Sequence, residues 1–407
     1  MEPSILASID SKALGAELKR TRQQRKMRQE DAAQIIDVAR TTMIAIENGD
    51  RRIRSDELVK LARAYGRSVG DFVRPRPTIE RFTRVQFRAP LQQSDEEQEQ
   101  IDLAINLMED LCRDYLELEQ IAGQPLIRAY PPEYQHSGES LEIEAENLAQ
   151  AERSRLGLGD GPLPPLRDVL EQDVGIRIFY IPLDPWKLSA MYYYSDLIGA
   201  CIVVNSKHRE DRCRWSLTHD YCHFLADRQR PSIEFNDGYQ RMPGSERFAD
   251  AFAGHFLMPA EKLAQRFNGM KQQGPVRTRD ILILANRYGV SLQAMVLRLE
   301  KLRLLNTGTW DKISGSNFKT QEAQRELGLG EVPGRRDMFP LHYRRLAIEA
   351  YHEGKITEGR LARFLHADRL TVREIAEESE AAPDTSGVQH PSGESSSRRA
   401  RGDISDV

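Results

Sequence analysis

Apolar residues recur three and four apart along most of the chain, broken by a few short strand-like stretches, which predicts a mainly α protein with a small β-sheet (α+β). Near the start, Leu14, Leu18 and Thr21 begin an amphipathic helix that runs through the basic residues 19–26. Ala32, Ala33 and Ile36 form the inward face of a second helix over residues 29–36, and Met43 and Ile46 that of a third over residues 40–47. The run Asn48-Gly49-Asp50 stops the third helix with residues suited to left-handed backbone. Ser55 is placed to cap a fourth helix over residues 56–65, and residues 68–72 make a short fifth. Two short helices joined by a tight turn in such an all-α bundle describe a helix-turn-helix.

Arg74-Pro75-Arg76-Pro77 cannot continue a helix, so the first domain spans residues 1–77. Residues 78–140 read as an acidic helical linker. Its stripe of Ile101, Ile105, Met108, Leu111, Tyr115 and Leu118 suits a connecting helix or a dimer contact, and residues 124–138 read as a loop. A third domain over residues 141–308 opens with a helix at 142–156, passes through a helix and a strand, and makes a hairpin from residues 189–194 and 200–205. Tyr192, Tyr193 and Tyr194 alternate faces, which places at least one in a cleft. An edge strand of such a sheet can hold an extended peptide, with an open groove expected beside the 200–205 strand. Helices follow at 215–228, 245–259, 281–288 and 294–305. Residues 310–338 are Gly-rich and irregular around one short helix, within a C-terminal helical region spanning 309–378. That region adds helices over 342–353 and 356–378, with Thr357 as a cap and Leu361, Ala362, Leu365, Leu370, Val372 and Ile375 inward. It suits partner docking or dimerisation, or a second DNA-binding unit. The tail, residues 379–407, has the Ser/Pro/Gly-rich, apolar-poor composition of disorder.

Composition sharpens this picture. The 407 residues are 40% hydrophobic, enough for two or three cores, with a mean hydropathy of -0.58. No run approaches the roughly 18 apolar residues that cross a membrane. The first twelve residues lack a basic-then-apolar secretion signal, and the four cysteines follow no disulfide or C-x-x-C pattern. The expectation is a cytoplasmic protein with no membrane contact. A net charge of -4 hides a local excess: Lys12 to Arg76 holds 16 Lys and Arg against 9 Asp and Glu. That is the electrostatic footprint of a polyanion binder; the other reading is a basic bundle that binds protein.

The candidate chemistry lies in residues 215–228, Trp-Ser-Leu-Thr-His-Asp-Tyr-Cys-His-Phe-Leu-Ala-Asp-Arg. On a helix, His219 and His223 share one face a turn apart and can grip one divalent metal. Asp220 is then placed to act on a water there. A third ligand is needed, and Glu246 and Asp250 supply two carboxylates on one face of the next apolar helix. One can ligate while the other orients an imidazole. Cys222, inside the motif, is a buried thiol, a ligand or a redox switch.

Two resemblances add to this. Residues 28–52, with Gln29, Ala33 and the ending Glu47-Asn48-Gly49, resemble the lambda-repressor/Cro-type (XRE) helix-turn-helix family. The resemblance implies that Arg40, Thr41, Thr42 and Ala45 face the major groove of double-stranded operator DNA. Gln29 with Arg51 or Arg52 would meet phosphates, in a homodimer that reads two half-sites. Asp37 replaces the usual turn glycine, which Asp tolerates better than most residues.

The second resemblance covers residues 142–305. His-Asp-Tyr-Cys-His, followed by Glu246-x-x-Ala-Asp-Ala-Phe-Ala-Gly-His-Phe-Leu-Met-Pro, is similar to the ImmA/IrrE family of metallopeptidase-like proteins. The family pattern is H-E-x-x-H and then E-x-x-A-x-x-F-A-x-x-L-L-M-P. It implies a zincin-like domain with Zn2+ on His219, His223 and Glu246, Asp220 at the catalytic glutamate position, and Asp250 orienting a ligating histidine. It also implies a repressor or antitoxin-type protein as substrate or partner. Asp220 is a methylene shorter than glutamate, about 1 Å of lost reach where a base must be within hydrogen-bond distance. The expectation is therefore a DNA-binding transcriptional regulator carrying a zinc metalloendopeptidase, or a non-catalytic sensor and partner platform silenced at Asp220. A small-molecule hydrolase using the same site would require a closed pocket.

Overall fold

The computed structural model describes residues 10–25, 27–66, 69–73, 82, 94–235, 244–316, 318–329 and 337–381. The expected proline boundary at 74–77 and the tail from 382 lie outside them. The chain divides into two units, Met1–Leu346 and Ala347–Val407.

The first unit begins with five helices: α1 (Ser11–Gln24), α2 (Gln29–Ile35), α3 (Arg40–Asn48), α4 (Ser55–Ala64) and α5 (Val69–Val73). Leu14, Leu18, Ala33, Ile36, Met43, Ile46, Leu58 and Leu61 meet in one buried core. Asp37 takes the left-handed turn between α2 and α3 at φ 55°, and Gly49 ends α3 at φ 79°. Gly15 lets α1 approach α3: a Cβ there would stand 2.3 Å from the carbonyl oxygen of Ile46. Ser55 is the first residue of α4, not its cap. The capping position is Arg54, whose backbone N–H donates to Glu57 Oε2 at 2.9 Å.

The long helix α6 (Asp95–Ala122) starts at Ser94, whose hydroxyl accepts from the Glu97 amide. Its apolar stripe is not left for a dimer or a bare connection. Ile101, Ile105, Met108, Leu111, Tyr115 and Leu118 are all buried. Tyr115 meets Phe179 and Tyr343 edge-on at 6.2 and 5.2 Å. Arg20 of α1 reaches Asp110 of α6 at 2.6 Å.

A four-stranded sheet follows α7 (Leu141–Arg155) and the short α8 (Leu166–Val169), which runs into a π turn at Leu170–Val174. Strands β1 (Arg177–Ile181), β2 (Leu188–Ser195), β3 (Gly199–Asn205) and β4 (Ser232–Phe235) lie in the order β1-β3-β2-β4. β1 and β3 are parallel, and the other pairs antiparallel. The 200–205 strand is therefore interior, so a peptide cannot pair with it directly. Its uninterrupted burial is what two covered faces demand. The edge on the hairpin side is β4, which the sequence pattern did not predict. Tyr192 is buried and its hydroxyl donates to the Arg228 carbonyl, Tyr193 stacks on Phe82 at 3.7 Å, and Tyr194 is half-buried.

One sheet face, with Ile178, Ala190, Tyr192, Ile202 and Val204, packs with α9 (Glu210–Ala226), α10 (Gly244–Leu257) and α7 into a single core. A neighbouring core joins Leu257 and Met258 to α11 (Ala260–Gln273), α12 (Thr278–Tyr288) and α13 (Leu292–Lys301). Two short helices, α14 (Thr309–Ser314) and α15 (Thr320–Glu326), occupy the stretch expected to hold one. α16 (Leu341–His352) carries the chain across the boundary of the two units.

In the second unit, α17 (Glu358–Phe364) and α18 (Arg369–Ala381) bury Leu361, Phe364, Val372 and Ala376. Leu370, expected inward, is 70% exposed. The buried face of α18 runs Val372 to Ala376, a spacing of four, and Leu370 in the first turn falls off it. Among the described residues no helix is long and apolar enough to cross a membrane.

Candidate metal centre and nucleic-acid interface

α9 is buried nearly throughout, because Cys213, Leu217, Tyr221, Phe224 and Leu225 surround its polar residues with core. His219 and His223 therefore face the beginning of α10 from a dry helix. His219 Nε2 lies 3.2 Å from His223 Nε2 and 3.1 Å from Glu246 Oε2, and His223 Nε2 lies 3.4 Å from Glu246 Oε1. Ligand atoms of these three residues all fall within 4.8 Å of one another. One turn along α10, Asp250 Oδ1 takes the other nitrogen of His219, Nδ1, at 3.0 Å, and accepts from Trp215 Nε1 at 3.3 Å. The two carboxylates left open by the sequence thus divide: Glu246 joins the imidazole Nε2 atoms, and Asp250 stands behind His219.

Burial opposes a proton on His219, but hydrogen bonds to Asp250 and Glu246 outweigh it and raise the imidazole well above its ordinary value. Against the upward push of burial, the two imidazoles hold Glu246 well below the carboxylate range. His219, on the same balance, lowers Asp250. Two nitrogens committed to one carboxylate, each ring free of competing core partners at Nε2, make a donor set that suits Zn2+.

Asp220 lies on the flank toward β4 and is fully buried. Ser232 Oγ donates to its Oδ1 at 3.2 Å, while Oδ2 is buried with no partner among the described residues. Burial pushes this carboxyl well above its usual range, with the charge of His219 opposing. Glu234, also on β4, acts electrostatically on both His219 and Asp220 and accepts from Arg212 Nη2 at 2.8 Å. Neither Ser232 nor Glu234 was singled out from the sequence. Their signal is the alternation Ser-Ile-Glu-Phe, only four residues long. Cys222 is buried, its thiol pushed up by burial, and stands outside the ligand group.

In the N-terminal bundle, Arg40 and Thr41 are exposed at the start of α3, and Thr42 and Ala45 half-exposed. These four lie off the face of Met43 and Ile46, which is buried. Arg52 is exposed, and neither it nor Arg40 makes an ion pair among the described residues. The other two expected phosphate contacts are engaged internally. Gln29 Nε2 donates to Glu47 Oε2 at 2.9 Å, and Arg51 donates to both oxygens of Glu57 at 2.9 and 2.8 Å.

Residues 171–300 match the family model described as IrrE N-terminal-like domain, and residues 18–72 that described as Helix-turn-helix. No curated protein matches the chain. Among solved structures, the crystal structure of Bacillus thuringiensis PlcR in complex with the peptide PapR7 and DNA is similar at 12% identity, covering 92% of this chain and 100% of that one. Its TM-score of 0.16 is too low to carry an argument. By the two family matches, the chain joins an XRE-type helix-turn-helix segment to an IrrE-like, metallopeptidase-like segment that contains the histidine pair, Glu246, Asp220 and Asp250.

Proposed function

We propose that this chain is a cytoplasmic DNA-binding transcriptional regulator whose IrrE-like domain holds Zn2+ and cleaves a repressor or antitoxin-type protein. The observation that carries the metal assignment is the meeting of His219 Nε2, His223 Nε2 and Glu246 with Asp250 behind the first. Zn2+ in such a site polarises a peptide carbonyl and makes water a nucleophile near neutral pH. The chain's own residues do the rest. Asp250 and Trp215 fix the ring of His219. With the charge of the cation offsetting the burial that otherwise keeps this carboxyl protonated, Asp220 Oδ2 would take a proton from the attacking water and return it to the leaving amine. A substrate peptide adds to the outer edge of β4, next to the Ser232–Asp220 bond.

A buried carboxylate oxygen without a partner costs about 1–3 kcal/mol, and such atoms concentrate where a ligand or water completes the site. The free Oδ2 of Asp220 supports catalysis on that ground. The bond from Ser232 favours the second reading: it ties the shorter side chain toward β4, as a silenced sensor would tolerate. On the DNA side, Arg40, Thr41, Thr42 and Ala45 would read bases, and Arg52 with Gln29 and Arg51 would meet phosphates, with two copies on two half-sites.

The test is zinc content and cleavage of cellular proteins for the full chain and its Asp220→Ala and Asp220→Glu variants. One zinc in all three, with cleavage by wild type and none by Asp220→Ala, is the expected result. Cleavage by Asp220→Glu alone would establish the silenced reading, and a wild type without zinc would overturn both.

A further inference from the structure

On the Nδ1 side of His219 lies a cavity of about 890 Å3, within the ~300–1,000 Å3 range of small-molecule sites. None of His219, His223, Glu246 or Asp220 lines it; Asp250 and Trp215 form the wall between the cavity and the metal ligands. Its floor is apolar, with Trp215, Ala251, Met258 and Leu297 around Gly254. A Cβ at Gly254 would meet Trp215 Cη2 at 3.8 Å, ordinary contact, so the missing side chain leaves the floor open without any backbone need for glycine.

Nearly every charged group around the cavity has a partner. Lys301 pairs with Glu142 at 3.1 Å, Arg298 donates to His255 Nδ1 at 3.0 Å, and Arg212 is held by Glu234. Asp211 accepts from Arg209 at 3.2 Å, and Asp250 is taken by His219 and Trp215. Arg247 differs: it is exposed on the lining and makes no hydrogen bond or ion pair among the described residues. An apolar floor with one uncommitted guanidinium at its side fits an amphiphilic anion.

We propose that this cavity binds a small organic anion, its apolar body on Trp215 and Met258 and its charged group on Arg247, and that its occupancy is felt at the metal centre. The second half follows from the wall, and it rests on the metal assignment made above. Trp215 and His219 share one oxygen of Asp250. A ligand covering this pair excludes water from it, strengthens the Asp250–His219 bond and holds the imidazole more firmly in its ligating position.

The experiment titrates the zinc-loaded full chain with 8-anilinonaphthalene-1-sulfonate, an aromatic anion, by fluorescence, and then follows zinc loss to a chelator with and without the dye. One saturable site is expected. Arg247→Ala should weaken it about tenfold, the worth of one charge-assisted hydrogen bond, and Gly254→Leu, which fills the floor, should abolish it. Both variants should keep wild-type zinc. Dye affinity unchanged in both would overturn the site whatever the zinc content. Zinc loss should slow severalfold in the dye-saturated protein, and equal rates would overturn the coupling. Saturable dye binding to a chain that holds no zinc would sink the metal assignment and the coupling while supporting the cavity as a site.

Discussion

Arg22 and Glu47 are joined by two bonds, Nε to Oε1 at 2.6 Å and Nη2 to Oε2 at 3.1 Å, in the buried seam between α1 and the end of α3. Glu47 also receives Gln29, and Arg22 donates to the Met27 carbonyl, so one carboxylate ties together the two helices of the motif and α1. Truncating one partner of such a buried pair leaves the other charge unpaired, at a cost of about 3–5 kcal/mol. Glu47→Ala should therefore open the bundle locally and abolish operator binding, although Glu47 is off the proposed recognition face. Hydrogen exchange of α1–α3 amides measures the opening; protection equal to wild type would show that the pair contributes little.

At the proposed metal centre, Asp250→Asn keeps the shape of the side chain but not the charge behind His219. Losing such a partner costs about 10–100-fold in metal affinity, so the variant should hold zinc that much more weakly. His219→Ala should lose it altogether. Chelator competition on the purified chain measures both, and Asp250→Asn with wild-type affinity would remove Asp250 from the centre.

The elements around this centre were unequally legible in the sequence. α9 and α10 could be read because helical spacing alone puts His219 with His223, and Glu246 with Asp250. Which carboxylate meets the Nε2 atoms could not, since both share a face and only the approach of α10 to α9 decides. The interior place of β3 is hard to read in the sequence because its parallel partner β1 lies more than twenty residues earlier, with β2 between them in the chain. Its unbroken run Ala200 to Val204 was nonetheless the mark of a strand covered on both faces. Four residues give too short an alternation to mark β4, and with it Ser232 and Glu234 stay hidden in the sequence. Periodicity reveals the stripe of α6 but cannot tell a face that meets its own sheet from one that meets a second copy.

Glu144 gives a pH dependence away from the metal. Its carboxylate accepts from His136 Nδ1 at 2.6 Å, from the Ser137 amide and hydroxyl at 2.7 and 2.8 Å, and from the Gly138 amide at 2.8 Å. These bonds, that of His136 foremost, bring its pKa down to about 2. The folded value lies below the ordinary value of about 4.3, so the stabilisation is complete above that pH and is lost as pH falls toward 2. The turn at 136–139 should loosen on α7 over this window in wild type, and at all pH values in Glu144→Gln. Amide exchange at Gly138 that is flat between pH 4.3 and 2 in wild type would contradict it.

The proposed recognition surface divides by what each side chain can reach. Arg40 and Thr41 stand exposed at the start of α3, where a recognition helix meets base edges. Arg40→Ala with Thr41→Ala should leave the fold intact, because neither residue is in the core, and should bring operator affinity down to that for random DNA. Arg52, exposed beyond α3 without an ion pair among the described residues, should act on phosphates. Arg52→Ala should weaken binding to every sequence alike and lower the salt dependence by about one counterion. Arg51, bound to both oxygens of Glu57, should lose bundle stability as well as affinity when replaced. Affinities of the three variants on operator and random duplexes across a salt series separate these roles. If Arg52→Ala changed sequence preference and Arg40→Ala with Thr41→Ala did not, the two surfaces would have to be exchanged.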